Sequence, residues 1–233
     1  MRPFYWAYGV TTCASRLTTL LPKTLESLAR AGFDSPRLFV DGLENPKDCP
    51  IQGLPVTARY PAVRTAGNWV LSLYELYCRM PAAHRFAVFQ DDLLAVQGLR
   101  EYLERCEYPK KGYLNLYTFP KNFLVANGRT GWYPSDQLGK SALGLVFSRD
   151  AVIDLLGQRC LVDRFQDPQR GWQSIDGGIV TALKQVNYKE YVHNPSLLQH
   201  TGHVSSMGHG QFPQANSFPG EEFDATSLIE ERI

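Results

Sequence analysis

The chain has 233 residues, of which 44% are hydrophobic, and a formal net charge of +1. A sizeable core can form, so global disorder is excluded, and the balanced charge argues against a general nucleic-acid binder while leaving room for a local basic groove. The five cysteines are scattered and include no CxxC pair, which argues against a disulfide framework or a structural zinc site and favours a reducing compartment.

Strand and helix signals alternate along the chain. Runs rich in aromatic and β-branched residues predict strands at 4–12, 36–42, 85–90, 112–119, 141–148 and 188–194. Apolar residues at helical spacing predict helices at 20–33, 66–81, 99–107, 149–157 and 175–186. This alternation predicts a single α/β domain over residues 1–210, with a mostly parallel central sheet flanked by helices, followed by a C-terminal tail or strap over residues 211–233.

The stretch RFAVFQDDLLAV places two adjacent carboxylates, Asp91 and Asp92, directly after a predicted buried strand. Like charges side by side resist desolvation, and a cation beside them would relieve the conflict. Hard oxygen ligands suit Mg²⁺ or Mn²⁺, which usually complete their shells with water and substrate phosphates. Ligands of open α/β sheets bind beyond the carboxyl ends of strands, where this pair and Asp41 are predicted to lie. The alternative is a loop capped by Asx hydrogen bonds.

Three other stretches carry candidate side chains. His200 follows an apolar anchor in NPSLLQHTGHVSS, and an imidazole beside a carboxylate shifts metal preference from Mg²⁺ towards Mn²⁺. Asp176 stands in the first turn of a predicted helix, as a general base or only as a charge favoured by the helix dipole. Arg16 in GVTTCASR can pair with a phosphate, or it can be the surface arginine of a plain strand-to-helix turn.

Taken together, these pieces resemble a glycosyltransferase of the GT-A fold. The stretch VTTCASRLTTLLPKTLESLARAGF resembles the first strand, nucleotide loop and first helix of that family, and LFVDG resembles its second strand. FQDDLL is similar to the DxD-type metal motif, although Gln90 stands where the motif has its first acid. SALGLVFSR is similar to the glycine-containing donor loop, and WQSID to the element that carries the base of inverting members. NPSLLQHTGHVSS resembles the C-terminal motif of the N-acetylglucosaminyltransferase IV branch.

The resemblance implies metal-dependent transfer of a sugar from a nucleoside-diphosphate sugar, with UDP as the expected nucleotide, to a hydroxyl group, with inversion. Asp92 and His200 would hold Mn²⁺ or Mg²⁺, and Asp176 would be the catalytic base. The donor-binding residues that it implies are Thr11, Thr12, Arg16, Asp41, Arg64, Asn68, Gln90, Asp91, Gly144, Ser205 and Ser206.

The acceptor is open between two classes. We expect a protein without the membrane anchor and stem of Golgi enzymes, similar to compact soluble members of the fold from bacteria and phages, some of which glycosylate hydroxymethylated bases of DNA. We therefore expect a 5-hydroxymethyl-pyrimidine in DNA, ahead of a glycan, and a cytoplasmic location, in the host cytoplasm if the protein is phage-encoded. Arg164, Arg170, Trp132 and Trp172 are the acceptor-binding candidates, although both tryptophans would serve equally well under a sugar ring.

Three rival functions use many of the same residues. A metal-dependent phosphohydrolase could use Asp91, Asp92 and His200, but a two-metal enzyme usually needs more acids than these strand ends offer. A nucleotidyltransferase is closer in fold, and the LLQHTG match speaks against it. A non-catalytic sugar- or nucleotide-binding module would keep the pocket without needing Asp176.

Overall fold

The computed structural model describes residues 4–166, 175–201 and 212–229. The strands of these ranges are β1 (Trp6–Cys13), β2 (Arg37–Asp41), β3 (Val56–Arg59), β4 (Arg85–Gln90), β5 (Leu93–Ala95), β6 (Gly112–Asn115), β7 (Gly131–Pro134), β8 (Gly144–Ser148), β9 (Lys189–Asn194) and β10 (Leu198–His200). The helices are α1 (Leu21–Arg30), α2 (Arg64–Arg79), α3 (Leu99–Arg105), α4 (Pro120–Ala126), α5 (Arg149–Leu156), α6 (Arg159–Gln166) and α7 (Ile175–Lys184).

Eight strands form one central sheet in the order β3-β2-β1-β4-β8-β6-β9-β7. The neighbours β1, β2, β3 and β4 are parallel, and β6 is parallel to β9. Only β8 and β7 run against the other strands of this sheet. The predicted α/β fold with a mostly parallel sheet is therefore confirmed. Strands β5 and β10 form a separate antiparallel pair.

The alternating directions of side chains along a strand divide the core between the two faces of the sheet. Along β4, Phe86 and Val88 pack with α2, α5 and α7, whereas Ala87 and Phe89 pack with α1 and α3 on the other face. Both faces are covered, so β4 is an almost continuous apolar run, as expected for a central parallel strand. The two carboxylates that follow Gln90 thus emerge from the best-buried part of the sheet.

Residues 212–229 lie along the α1 and α3 side of the domain. Ala215 is buried, and Phe218, Phe223 and Leu228 pack against the core on that face. The Ser27 hydroxyl on α1 donates a 2.8 Å hydrogen bond to Glu221. These contacts hold the segment against the body of the domain, although the proposed division between a catalytic domain and a strap stays a prediction.

Several short elements were not expected from the sequence. Strands β3, β5, β7 and β10 and helices α4 and α6 are each eight residues or fewer, too short to show a clear hydrophobic period. The strand predicted over 112–119 ends at Asn115, because the chain then turns to meet β10 through hydrogen bonds between Leu116 and residues 197–198. In the described ranges, none of the helices combines the length and apolar character that crossing a bilayer requires.

Candidate functional site

A cleft opens where the carboxyl ends of β1, β2 and β4 meet. Parallel pairing places Thr11 beside Gln90 and Cys13 beside Asp41, so residues far apart in sequence reach one edge of the sheet. The cleft is lined by Thr11, Thr12, Cys13, Arg16, Asp41, Thr65, Asn68, Gln90 and Asp91. Seven of these nine residues are donor-binding candidates from the sequence, and Cys13 and Thr65 are additions that the sequence did not indicate.

Asp91 is the most tightly held acid of the cleft. The residue is 2% exposed. Its two carboxylate oxygens have different partners. Oδ1 lies 2.7 Å from Nη1 of Arg16, and Oδ2 accepts a 2.5 Å hydrogen bond from Thr12. Burial raises the pKa of Asp91 above its usual value, and the positive charge of Arg16 opposes that shift. The arginine therefore limits the upward shift that burial alone would cause.

Asp92 faces both Arg16 and His200. Its Oδ2 lies 3.2 Å from Nη1 of Arg16 and 3.4 Å from Nε2 of His200. Its Oδ1 is buried and has no hydrogen-bond partner within the described ranges. A buried carboxylate oxygen without a partner is costly unless a cation or a water completes it. The Asp92 carboxylate and the imidazole are thus two potential metal ligands close together. The carboxylate suits Mg²⁺ or Mn²⁺, and the imidazole shifts the preference towards Mn²⁺.

A strand pair that the sequence did not predict brings His200 to the acids. In the antiparallel pairing of β10 with β5, His200 stands opposite Leu93, and the N–H of Thr201 donates 2.8 Å to the carbonyl of Asp92. Phe212 stacks on the His200 ring with centroids 4.3 Å apart. The histidine is therefore buried and held in place by strand pairing on one side and by ring stacking on the other.

Thr24 of α1 holds the turn between the two acids and β5. Its hydroxyl lies 2.8 Å from the carbonyl of Asp91 and accepts a 3.1 Å hydrogen bond from the N–H of Leu93. The side chain is 1% exposed, so these backbone groups have no access to bulk water. Sequence analysis missed this residue, although a hydroxyl on the apolar face of a predicted helix, three residues after Leu21, was the available signal.

Asp41 and Arg64 meet at the start of α2. The carboxylate of Asp41 accepts hydrogen bonds of 2.7 Å from the N–H of Val63 and 2.8 Å from the N–H of Arg64. Arg64 has a φ of 64°, in the left-handed region that non-glycine residues rarely adopt. Asp41 therefore caps the helix and fixes an unusual backbone turn at the cleft, which it also lines.

Asn68 supports the floor of the cleft. Its amide nitrogen donates 2.9 Å to the carbonyl of Phe39 and 3.3 Å to that of Thr12, and its oxygen accepts 2.9 Å from Nε of Arg59. The residue is 2% exposed. These internal bonds use both amide hydrogens, so Asn68 ties β1, β2 and α2 together beneath the cleft.

Asp176 lies in the first turn of α7 and contacts the segment that leads into β8. The N–H of Ser141 donates a 2.6 Å hydrogen bond to Oδ2 of Asp176. Two residues later the carbonyl of Leu143 accepts 2.9 Å from the N–H of Gln90. The proposed base is therefore connected to the end of β4 through residues 141–143.

Gly144 and Trp132 are not among the residues that line the cleft. A Cβ atom at Gly144 would stand 2.4 Å from Leu198 and 3.1 Å from Phe89, so the missing side chain permits close packing beside the end of β4, and its role in a donor loop stays a prediction. Trp132 lies on β7 at the far edge of the sheet. Its ring stacks on that of Tyr102 with centroids 6.4 Å apart and makes an edge contact with the ring of His193 with centroids 4.8 Å apart. The structure does not bring Trp132 to the acidic pair.

The remaining candidates lie outside what the structure describes. These are Arg170, Trp172, Ser205 and Ser206, together with the side chain of Arg164, whose backbone belongs to α6. Their proposed roles stay predictions from the sequence.

Comparison with known proteins shows a fold but no family. No protein-family profile and no curated protein matches the chain. Among solved structures, GalNAc-T7 in complex with UDP, GalNAc and Mn²⁺ superposes with a TM-score of 0.53 and 10% identity, over 96% of this chain and 47% of that one. A putative glucose-1-phosphate thymidylyltransferase from Bacillus anthracis, solved with sucrose, superposes with a TM-score of 0.49 and 13% identity, over 97% of this chain and 96% of that one. The chain thus shares the fold of GalNAc-T7 and spans about half of its length.

Replacing Arg16 should expose the charge conflict that it resolves. Arg16→Met leaves two adjacent buried carboxylates without their guanidinium, and we expect the free energy of unfolding to fall by about 3 kcal/mol at pH 7. The loss should shrink towards pH 4, because the raised pKa of Asp91 lets it become neutral as the pH falls. Millimolar Mn²⁺ or Mg²⁺ at constant ionic strength should restore part of the melting temperature.

The matched control is Arg30→Met, which removes the same charge from a more exposed ion pair with Glu221. It should cost less and should not respond to divalent ions. If Arg16→Met unfolds like the wild-type protein in thermal melts at both pH values, the guanidinium does not compensate the acids.

Proposed function

We propose that this protein is a metal-dependent glycosyltransferase that uses a nucleoside-diphosphate sugar, with UDP as the nucleotide. The observation that carries the proposal is the arrangement of Asp91, Asp92, Arg16 and His200 at the carboxyl end of β4. Two acids, one guanidinium and one imidazole in a cleft form a site for a cation together with a diphosphate. The fold shared with GalNAc-T7, which was solved with UDP, GalNAc and Mn²⁺, is consistent with this donor class.

The residues present fit Mn²⁺ or Mg²⁺. Asp92 offers a buried oxygen without a partner in the described ranges, and the ring of His200 lies beside the same carboxylate. The described residues contain no group of three or more His, Cys, Asp or Glu side chains placed to hold a metal. Asp92 and His200 therefore supply two ligands, and Mn²⁺ or Mg²⁺ usually takes its remaining ligands from water and substrate phosphates. When bound, the ion would act as a Lewis acid that stabilises the departing diphosphate.

The cleft residues divide the donor between them. Arg16 contacts both acids and lines the cleft, so its guanidinium is placed to form charge-assisted hydrogen bonds with a phosphate, and Arg64 would add a second such contact. We assign the nucleoside to Thr11, Thr12 and Asp41, which line the cleft, and the ribose to Asp91. Asn68 and Gln90 also line the cleft.

Asp176 is proposed as the general base. It would remove the proton from the acceptor hydroxyl as that oxygen attacks the anomeric carbon from the side opposite the diphosphate, which inverts the configuration. The hydrogen bond from the N–H of Ser141 to Oδ2 orients this carboxylate. Transfer that retains configuration would exclude this role.

The donor chemistry can be tested with Asp92→Ala. This variant should bind nucleoside diphosphates poorly in Mn²⁺ and should lose donor hydrolysis and transfer, while its circular dichroism and melting curve stay close to those of the wild-type protein. Mass spectrometry of reactions with a panel of nucleotide sugars identifies the products. Release of the nucleoside diphosphate indicates sugar transfer. In parallel reactions with nucleoside triphosphates and sugar 1-phosphates, release of pyrophosphate indicates a nucleotidyltransferase. Full activity of the variant, or of the wild-type protein in excess chelator, contradicts the proposal.

The base can be tested with Asp176→Asn, which keeps the shape of the side chain and removes its basicity. We expect turnover to fall roughly 100-fold or more, with donor affinity nearly unchanged. Steady-state kinetics and calorimetric titration of the donor separate the two effects. Lost donor binding with normal turnover would make Asp176 a donor ligand or a helix cap instead.

A 5-hydroxymethyl-pyrimidine in DNA stays the leading acceptor proposal, ahead of a glycan. Its candidate residues stay Arg164, Arg170, Trp172 and Trp132, of which Trp132 lies on β7 at the far sheet edge. Transfer to hydroxymethylated DNA should fall steeply between about 50 and 200 mM salt, because phosphate contacts release counterions. Arg164→Ala with Arg170→Ala should flatten that dependence. Salt-independent rates, or modification of a glycan alone, would contradict the DNA acceptor and favour a carbohydrate acceptor.

A further inference from the structure

Glu190 is a buried carboxyl group outside the cleft that the proposed chemistry leaves unused. It lies on β9 and is 1% exposed. Its Oε2 accepts a 2.6 Å hydrogen bond from Ser135, and its Oε1 accepts bonds of 3.1 Å from Asn115 and 3.3 Å from Tyr113. All three donors are neutral. Burial raises the pKa of Glu190 to about 7, and the three hydrogen-bond donors oppose that shift. Burying an ionisable group costs free energy, so at a position that served only packing an uncharged residue would give a more stable protein.

Glu190 also holds one end of a loop through its backbone. The loop comprises residues 135–141, between β7 and β8. The N–H of Ser135 donates 3.0 Å to the carbonyl of Glu190. The side-chain amide of Gln137 donates 2.8 Å to the same carbonyl and accepts 3.0 Å from the N–H of Glu190. Side chain and backbone of one residue thus fix the first half of the loop.

The loop itself is unusually constrained. Gln137, Gly139 and Ser141 have φ values of 58°, 69° and 70°, all in the left-handed region. For the two residues with side chains this conformation is disfavoured by roughly 1 kcal/mol or more each. Such backbone strain persists only where surrounding contacts enforce it, and it is concentrated at functional sites.

The other end of the loop presses on the start of α7. A Cβ atom at Gly139 would lie 2.5 Å from the carbonyl oxygen of Asp176, and the N–H of Ser141 donates to the Asp176 carboxylate at 2.6 Å. The amide nitrogen of Asn115 lies 3.0 Å from the carbonyl of Ser141 as well as 3.1 Å from Glu190. One side chain therefore bridges the buried acid and the residue that orients Asp176.

We infer that Glu190 is a positioning residue for Asp176, which it orients through Asn115 and the 135–141 loop. The inference rests on the proposed role of Asp176 as the base, and the effect is indirect because Glu190 does not line the cleft. Loss of the Glu190 carboxylate frees Ser135 and one amide hydrogen of Asn115. The loop then gains alternatives to its strained conformation, and the Ser141 N–H is no longer held against Asp176.

The first test measures hydrogen exchange at the Ser141 amide, which needs no enzymatic activity. Glu190→Ala should speed this exchange about tenfold or more under native conditions, because the loop opens locally. Glu190→Gln keeps an acceptor oxygen and should stay close to the wild-type rate. The control is Leu114→Ala, which truncates a fully buried side chain on the opposite face of the neighbouring strand β6. Should Glu190→Ala fail to fold, Ser135→Ala breaks the same link.

The second test measures transfer kinetics. Glu190→Ala should lower kcat by about 10- to 100-fold with an unchanged donor KM, because misplacing a reacting group by about 1 Å can cost about 100-fold. Glu190→Gln should recover most of the rate, and Leu114→Ala should keep it.

The outcomes separate the inference from the proposed function. If exchange at Ser141 rises no more in Glu190→Ala than in Leu114→Ala, the positioning role is wrong. If it rises selectively while the wild-type protein transfers no sugar, the structural link stands and the assignment of Asp176 as a base falls. If it rises selectively and kcat does not change, the loop does not position the base.

Discussion

Two adjacent buried carboxylates share one guanidinium at the end of β4. Asp91 and Asp92 are 2% and 5% exposed, and Nη1 of Arg16 reaches both of them. Without a cation such a pair would destabilise the folded protein, since two like charges in a low-dielectric place favour neutral forms. The position of Arg16 in the chain, directly after β1, lets the parallel pairing of β1 with β4 supply that charge.

The neighbouring side chains and strands hold the two acids in place. Thr12 donates to Asp91, Thr24 holds the turn that follows, and β10 brings His200 to within 3.4 Å of Asp92. One oxygen of Asp92 stays without a partner in the described ranges. In our account the two carboxylates exceed the single guanidinium by one negative charge, and these ion pairs rearrange when a cation and a diphosphate enter together.

Much of the fold was predictable from the sequence because its long elements carry strong patterns. Helix α2 and strand β4 show clear helical and buried-strand signals, and the two acids after β4 pointed to the cleft. The pairing of β10 with β5 was not predictable, because strands of three residues carry no period, and only this pairing explains why His200 meets Asp92.

Some candidate residues changed meaning once their neighbours were known. Gly144 was assigned to a donor loop by resemblance, and the structure adds a second reason for the glycine, which is close packing against Leu198 and Phe89. Trp132 suggested a stacking platform, but the edge position of β7 places it against Tyr102 and His193. In both cases the residue type was informative about geometry, and the partner was fixed by tertiary contacts that a single sequence does not reveal.

The most direct test of this account is calorimetric titration of the wild-type protein with UDP, performed in Mn²⁺ and in chelator, together with titration of Mn²⁺ in the presence and absence of UDP. Because Asp92 and His200 supply only part of a coordination shell, we predict that each ligand binds at least about tenfold more tightly when the other is present, with one Mn²⁺ per chain. Equal UDP affinity with and without Mn²⁺, or no binding of either ligand, would contradict the assignment of the acidic pair to a cation and a diphosphate.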